Sequence, residues 1–378
     1  MAIARRSSCS PPSSAPAREH GASREVTPAR GDRLAALVAE RELDCFLVTD
    51  LTNVSYLTGF GGTNGACVCG TEQRVFLTDF RYTERAEAEV EGWDVVTVED
   101  DWLGGIAARL SGKAGFEDHH MAVRTLKRLE EKLADGIALE GAGGTVEKLR
   151  RVKDEAELTA IAAAAELADE IWRWSLERGL AGRSELDVAR AAEARMREQG
   201  AEPSFPTIVA AGPNGALPHA EPGEREIGRG ELVVFDMGAK LDGYCSDGTR
   251  TFATGEPGEA ARAVYETVRV AQETALAKVT AGIKAEDVDS VARELIAAAG
   301  HGERFGHGLG HGVGLEVHEE PRVSQRSEDV LAAGEVVTIE PGIYLPGELG
   351  VRIEDLVVVA EDGYRNLSGL PKQIQLVE

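Results

Sequence analysis

Two rhythms of apolar and polar positions run along this chain. In the first third, short apolar runs alternate with helically spaced ones. Leu34, Leu37 and Val38 recur at helical intervals between Asp32 and Arg41, and Cys45–Thr49 (CFLVT) is a continuous apolar run that suits a buried strand. Asn53–Phe60 reads as a short helix or turn. Gly65–Gly70 and Arg74–Thr78 read as a strand pair, Tyr82–Val90 as a helix and Trp93–Val98 as a strand. A helix at Trp102–Leu110, a strand at Lys113–Phe116 and a helix at Met121–Leu133 follow. Strands alternating with helices predict an α/β domain with a mixed sheet. His119-His120 falls in a loop and reads as a surface pair. Gly141-Ala-Gly-Gly144 punctuates the end of this region.

Beyond it the helical spacing lengthens. Asp154–Trp174 carries Leu158, Ile161, Leu167 and Ile171 at helical intervals, and Ser184–Gln199 opens on Ser184 as N-cap with Asp187 three residues on. Ser204–Ala211 reads as a strand running into the tight loop Gly212–Gly215. Helices are predicted at Glu259–Lys278 and Ala285–Ala299. The glycine-rich stretch Gly300–Gly314 disfavours a helix, and strands dominate the remainder. The expected organisation is a tail at 1–30, a domain at 31–145 and a second domain at 146–378. The tail is rich in Ser, Pro, Ala and Arg and reads as disordered. No apolar run follows Arg5-Arg6, so a secretion signal is not predicted; a transit segment stays open.

Two predicted hairpins place acids where ordinary hairpins do not. Leu232, Val234 and Asp236 alternate on one arm of Glu231–Thr254, and the return arm runs from Tyr244 to Phe252. Folded about a centre between Leu241 and Asp242, the hairpin sets Asp236 opposite Asp247, with Cβ atoms about 5 Å apart on one face. The second hairpin pairs Glu335–Tyr344 with Gly350–Val359, and folding about Gly347 sets Glu340 opposite Glu354. Between the hairpins lies FGHGLGHGVGLEVHEEP, which holds His307, His311 and His318. An opposed acid pair on one hairpin is commonly just an exposed turn, and a Gly/His run a structural loop. Here, however, Asp236 ends the apolar run LVVF and Glu340 ends VVTI, so both sit on buried arms, where an unpaired charge costs several kcal/mol.

Composition narrows the chemistry. With 41 Lys+Arg against 65 Asp+Glu the formal charge is −24, which argues against nucleic acid or an anionic membrane as partner. Five cysteines show no metal-ligand or disulfide spacing, consistent with reduced thiols in a cytoplasmic protein. No apolar run reaches the ~20 residues of a membrane span. Four carboxylates converging with His311 in a cleft could not all ionise alone, since like charges raise each other's pKa. Two divalent cations would neutralise them, and ligands without thiolate suit Mn²⁺, Co²⁺, Fe²⁺ or Zn²⁺. Two such cations about 3.5–4 Å apart acidify a shared water and polarise a carbonyl, which is hydrolytic machinery.

The stretches VVFDMGAKLDGYCSDGTRTF, GHGLGHGVGLEVHEEP, VVTIEPGIY and GVRIEDLVVV, with SFPTIVAAGPNGALPHA, make the chain resemble the metallopeptidases that include methionine aminopeptidase, aminopeptidase P and prolidase. The resemblance implies an α+β architecture, a C-terminal pita-bread catalytic domain preceded by a smaller creatinase-like α/β domain. It implies two divalent metal ions, manganese first, held by Asp236, Asp247, His311, Glu340 and Glu354. Asp236 would hold one ion, His311 and Glu340 the other, with Asp247 and Glu354 shared. His219 and His318 would bond the substrate, with Glu340 relaying a proton. His307, Arg322 and Arg352 would line the substrate site. LDCFLVTDLTNVSYLTGFGGTNG and FLTDFRYTERA resemble the N-terminal domain of the proline-specific members. The implied activity is cleavage of the Xaa-Pro bond at a peptide N-terminus by a cytoplasmic homodimeric aminopeptidase. The alternative is an Xaa-Pro dipeptidase, in which Arg322 would grip a free carboxylate. An inert binding module of the same fold would lack ligands or the two substrate histidines, and none is missing. The same ligands disfavour a metal-free creatinase-type amidinohydrolase.

Overall fold

The structure is a computed structural model that describes residues 29–377. Most of the expected tail lies outside the described residues, while Ala29 and Arg30 belong to the first helix, Ala29–Glu40.

Six short strands form the sheet of the N-terminal domain, in the spatial order Asp94–Thr97, Arg74–Thr78, Ala66–Gly70, Cys45–Val48, Lys113–Phe116, Ala138–Gly141. Its centre is antiparallel and its flanks parallel, the mixed sheet that alternating elements predict. Cys45–Val48 and Ala66–Gly70 are buried on both faces, which explains their unbroken apolar sequence. The last strand, Ala138–Gly141, is not anticipated from sequence. It is an edge strand with two polar-facing, largely exposed flanks, so burial wrote no apolar pattern into it.

The C-terminal domain builds two helix-on-sheet layers. Helices Glu155–Leu176 and Glu185–Glu198 bury Ile171, Trp172, Val188 and Met196 against Val233, Phe235 and Phe252 of the sheet Ile208–Ala211, Leu232–Asp236, Thr249–Ala253. Helices Glu259–Leu276 and Ala285–Ala298 bury Val268, Val288 and Ile296 against Val337, Ile339 and Val357 of a five-stranded sheet. The long helix starts on a full capping box, Asp154 with Glu157. The second is capped by Ser184 Oγ, which accepts from Asp187 N at 3.0 Å.

The first hairpin differs from its expected register. Its turn is Asp242–Gly243, with φ of 49° and 83°, both left-handed. An Asp-Gly pair favours this two-residue turn because its twist matches the flanking strands. Leu241 therefore pairs with Tyr244, and Asp236 pairs with Thr249 rather than with Asp247. The slip of two positions keeps Asp236 and Asp247 on one face, as diagonal rather than direct neighbours. Asp247 lies where the ladder breaks between Tyr244–Cys245 and Thr249–Ala253. Gly238 fits there because a Cβ would stand 1.8 Å from the Ser246 carbonyl oxygen.

In the second hairpin, Ile339 pairs with Asp355 and Gly342 with Arg352. One register runs through both ladders and sets Glu340 across from Glu354, as expected from the sequence. Both acids sit in the gap between ladders and direct their backbone elsewhere. Glu340 N donates to Leu309 O at 2.8 Å, and Glu354 N donates to Thr249 O at 3.0 Å. The second of these bonds ties one hairpin to the other.

At the junction of the two domains, Glu319 is almost fully enclosed. Burial alone would push its carboxyl up, but Lys153 and Arg150 hold it below the usual carboxylate range. A carboxylate depressed in the fold adds stability above its unfolded value of about 4.3, and that contribution is lost as pH falls through the folded value. Glu319→Gln should therefore be less stable than the parent at pH 7, with the gap closing below about pH 4. Chemical unfolding across pH checks this, and a gap independent of pH refutes it.

Candidate metal centre

Every residue singled out from the sequence lines one cavity of about 880 Å³: His219, Asp236, Asp247, His307, His311, His318, Arg322, Glu340, Arg352 and Glu354. The two hairpins supply its floor. Asp236, Asp247 and Glu354 are buried, Glu340 and His311 half-buried, and His219, His318 and Arg322 exposed toward the mouth.

His311 rides on the short strand Gly310–Gly312. Its Nδ1 donates to Gly312 O at 3.0 Å, which fixes the tautomer and turns Nε2 toward the acids, 3.3 Å from Glu340 Oε1 and 3.5 Å from Asp247 Oδ2. Gly310 lets this strand approach Thr338, whose carbonyl oxygen would lie 1.9 Å from an added Cβ. The Thr338 hydroxyl accepts from His311 N at 3.1 Å and donates to Glu340 Oε1 at 3.3 Å.

Three residues the sequence reading missed complete the framework: Thr338, Thr249 and Tyr344. Thr249 Oγ1 donates to Glu354 Oε2 at 2.8 Å and accepts from Arg352 Nε at 3.0 Å. Arg352 also donates to Asp236 Oδ2 at 2.5 Å, to Pro218 O at 3.0 Å and to the Tyr344 oxygen at 3.0 Å. Tyr344 in turn donates to His307 Nε2 at 2.9 Å, since the Nδ1 proton of His307 is given to Gly308 O at 2.8 Å. Strand alternation held the signal for all three. Asp247 and Thr249 share a face, as do Thr338, Glu340, Gly342 and Tyr344. Gly342 matters here because a Cβ would meet the Tyr344 hydroxyl at 2.5 Å.

The electrostatics are those of too much negative charge in too little water. Burial, then the neighbouring carboxylates, push Asp247 and Glu354 well above the ordinary range. Burial also raises Asp236 despite Arg352 beside it. Burial works against Glu340 too, but the His311 hydrogen bond and the charges of His311, His307 and Arg352 prevail and hold it at about 2. Burial lowers His307 and His318, while Glu340 overcomes burial to raise His311.

The donor set fits divalent cations. Asp236 Oδ1 and Glu354 Oε1 are buried without a hydrogen-bond partner, a costly state for a carboxylate oxygen. Ligand atoms of Asp247, His311 and Glu354 lie within 4.8 Å of one another. Oxygen donors with one imidazole suit a borderline or hard divalent ion.

This fold and donor set define a metal-dependent hydrolase built on two coupled hairpins. Residues 159–361 match the family described as "Metallopeptidase family M24", and residues 30–152 match the "Creatinase/Prolidase N-terminal domain". The chain belongs to metallopeptidase family M24, with a creatinase-type N-terminal domain before a pita-bread catalytic domain. It is 34% identical over 362 residues to the Xaa-Pro dipeptidase of Pyrococcus horikoshii, covering 90% of this chain and 97% of that one. The solved Xaa-Pro dipeptidase from Bacillus anthracis superposes with a TM-score of 0.90 at 36% identity, covering 92% and 99% of the two chains. The X-Pro aminopeptidase from Thermotoga maritima superposes with a TM-score of 0.85 at 35% identity, covering 92% and 100%. No helix among the described residues is long and apolar enough to cross a membrane.

Because ligands must shed their protons to bind a metal, raised carboxylates make loading pH-dependent. Titrating Mn²⁺ into chelator-treated protein should release protons, more of them at pH 6 than at pH 8. Calorimetry in buffers of different ionisation enthalpy reads this directly, and equal release at both pH values refutes it.

Proposed function

We propose that this chain is a metal-dependent Xaa-Pro dipeptidase, a prolidase. The observation that carries the reading is the pair of orphaned, buried carboxylate oxygens at the cavity floor, in a chain of this metallopeptidase family. Relatives bearing the dipeptidase name, matched over nine-tenths of both chains, support the choice of substrate. That choice reverses the preference drawn from sequence, which put the aminopeptidase first. Arg322 supports it as well: its side chain is 79% exposed at the mouth, four residues from His318, and its only ion pair among the described residues is a long one to exposed Glu320 at 3.9 Å, so it can turn to the C-terminal carboxylate of a dipeptide. The Thermotoga maritima relative and the roomy cavity favour the second reading, an Xaa-Pro aminopeptidase.

In this reading Asp236, Asp247, His311, Glu340 and Glu354 hold two divalent cations, manganese first, with cobalt, zinc and iron also suited to the donors. Bound cations would supply Lewis-acid polarisation of the scissile carbonyl and a water acidic enough to react near neutral pH. Protein groups do the rest. His219 and His318 donate to the carbonyl oxygen as negative charge grows on it. Glu340, kept ionised by His311, takes a proton from the attacking water and passes it to the proline nitrogen. That nitrogen carries no hydrogen in the peptide, and the fixed ring defeats general peptidases. His307 and Arg352 are held by Tyr344 and shape the wall beside Asp236. Buried, free Cys45, Cys67, Cys69 and Cys245 agree with a reducing, cytoplasmic setting, and the homodimer remains the family-based expectation.

Asp247→Ala should lower kcat by more than about 100-fold, the upper scale for losing only a supporting partner of a metal ligand. Its far-UV circular dichroism should match the parent, and a fully active variant rejects the assignment. With Mn²⁺ restored after chelation, Ala-Pro and Gly-Pro should be cleaved and a longer Xaa-Pro-Xaa peptide spared. Cleavage of the longer peptide alone returns the aminopeptidase reading, and full activity without metal removes both.

A further inference from the structure

A second set of buried polar groups runs from the N-terminal sheet to the edge of the cavity. Glu117, at the end of Lys113–Phe116, accepts from Thr49 N at 2.6 Å, from Asp50 N at 2.8 Å and from Asn53 Nδ2 at 2.7 Å. Asn53, fully buried, also donates to Glu147 Oε1 at 2.7 Å, and its Oδ1 accepts from Arg150 Nη1 at 2.8 Å. The other arm of the Arg150 guanidinium donates to Glu319 Oε1 at 2.5 Å and to Glu316 Oε2 at 2.7 Å. Glu319 Oε1 further accepts from Glu316 N at 3.1 Å, and Lys153 Nζ donates to Oε2 at 3.2 Å. The loop is closed tightly over this carboxylate, since a Cβ on Gly314 would stand 2.5 Å from Glu319 Oε2.

Glu319 is the residue after His318. The His318 side chain makes no hydrogen bond among the described residues; its ring contacts His311, centroids 4.3 Å apart, and otherwise follows the loop backbone. What places the loop therefore places the Cα from which the imidazole reaches His311. A fold-holding ion pair would need only Arg150 and Glu319. Here Asn53 grips the opposite arm of a planar, rigid fork, so the fork's orientation is set from the N-terminal domain.

We propose that Asn53, Arg150 and Glu319 form a positioning device through which the N-terminal domain sets where His318 stands over the scissile carbonyl. The consequence for turnover rests on the peptidase reading; the coupling itself does not. Asn53 and Arg150 act through Glu319 and are positioning residues.

Two measurements on the metal-loaded full chain decide it. In Asn53→Ala, amide hydrogen exchange should quicken about tenfold at residues 314–320 and stay unchanged at 336–343, an effect expected only if the groups are coupled. Quickening confined to the N-terminal domain overturns the proposal. For the second, Asn53→Ala should lower kcat for Ala-Pro about tenfold in the parent yet less than about twofold in a His318→Ala background. Equal factors in both backgrounds would mean a general structural role and overturn it. Should Asn53→Ala not fold, Arg150→Lys carries the same tests, because it keeps the charge and loses the fork. A parent that cleaves no Xaa-Pro peptide sinks the peptidase reading, and the exchange measurement still judges the coupling.

Discussion

Mutual repulsion among Asp236, Asp247, Glu340 and Glu354 is the constraint on which the catalytic domain depends. Each acid ends or interrupts an apolar strand; Asp236, Asp247 and Glu354 are buried and Glu340 is half-buried. Arg352 and the histidines beside Glu340 share the task of offsetting them, with hydroxyl donors from Thr249 and Thr338. Arg352 spends its donors on Asp236, Thr249, Tyr344 and the Pro218 carbonyl. His311 faces Glu340 and Asp247 with a single nitrogen. Asp236 Oδ1 and Glu354 Oε1 are left buried without a hydrogen-bond partner, which suits them to a cation. Burial and the neighbouring carboxylates raise the proton affinities of Asp247 and Glu354, and Glu340 raises that of His311.

Around this constraint the architecture divides its work. The two helix-on-sheet layers supply rigid, apolar support, and the hairpins project acids from it at the points where their ladders break. Breaks are useful because a residue between ladders can send its backbone to a different element. Glu354 does so when its N–H reaches Thr249 O, and Glu340 when its N–H reaches Leu309 O. The first joins hairpin to hairpin, and the second joins a hairpin to the glycine-rich segment that delivers His311. Helix Ala285–Ala298 braces the same segment from behind, as Arg293 donates to the carbonyls of Phe305 and His307 at 2.8 Å each. Loops here are therefore as firmly placed as strands.

What the sequence revealed follows burial. Asp236 and Glu340 stood out because acids on apolar arms contradict the local pattern; Asp247 and Glu354 came from folding the hairpins, and His311 from the resemblance. Thr249, Thr338 and Tyr344 were not, because a hydroxyl on a strand face contradicts nothing; only their period-two relation to the acids marked them. The strand Ala138–Gly141 escaped notice because its exposed edge carries no apolar rhythm. Sequence reasoning lent little weight to the dipeptidase alternative that we propose, for a related reason. The group bearing on it, Arg322, stands in solvent, where no desolvation cost imposes a sequence pattern.

The Asp242–Gly243 turn imposes a rule of parity. Sequence reasoning misplaced its centre, pairing Asp236 with Asp247 when the true partner is Thr249, and still found the right face, because the error was two residues. A strand that slides by an even number keeps its inward-facing set, and one that slides by an odd number turns it out. Insertions or deletions in this turn that alter the register are thus filtered by arithmetic before chemistry. A slip of two leaves both aspartates facing the cavity, whereas a slip of one would turn Asp247 away from its partners and Phe252 out of the core. Loop grafting or lineage divergence at this tip can change length freely only in steps that preserve that evenness.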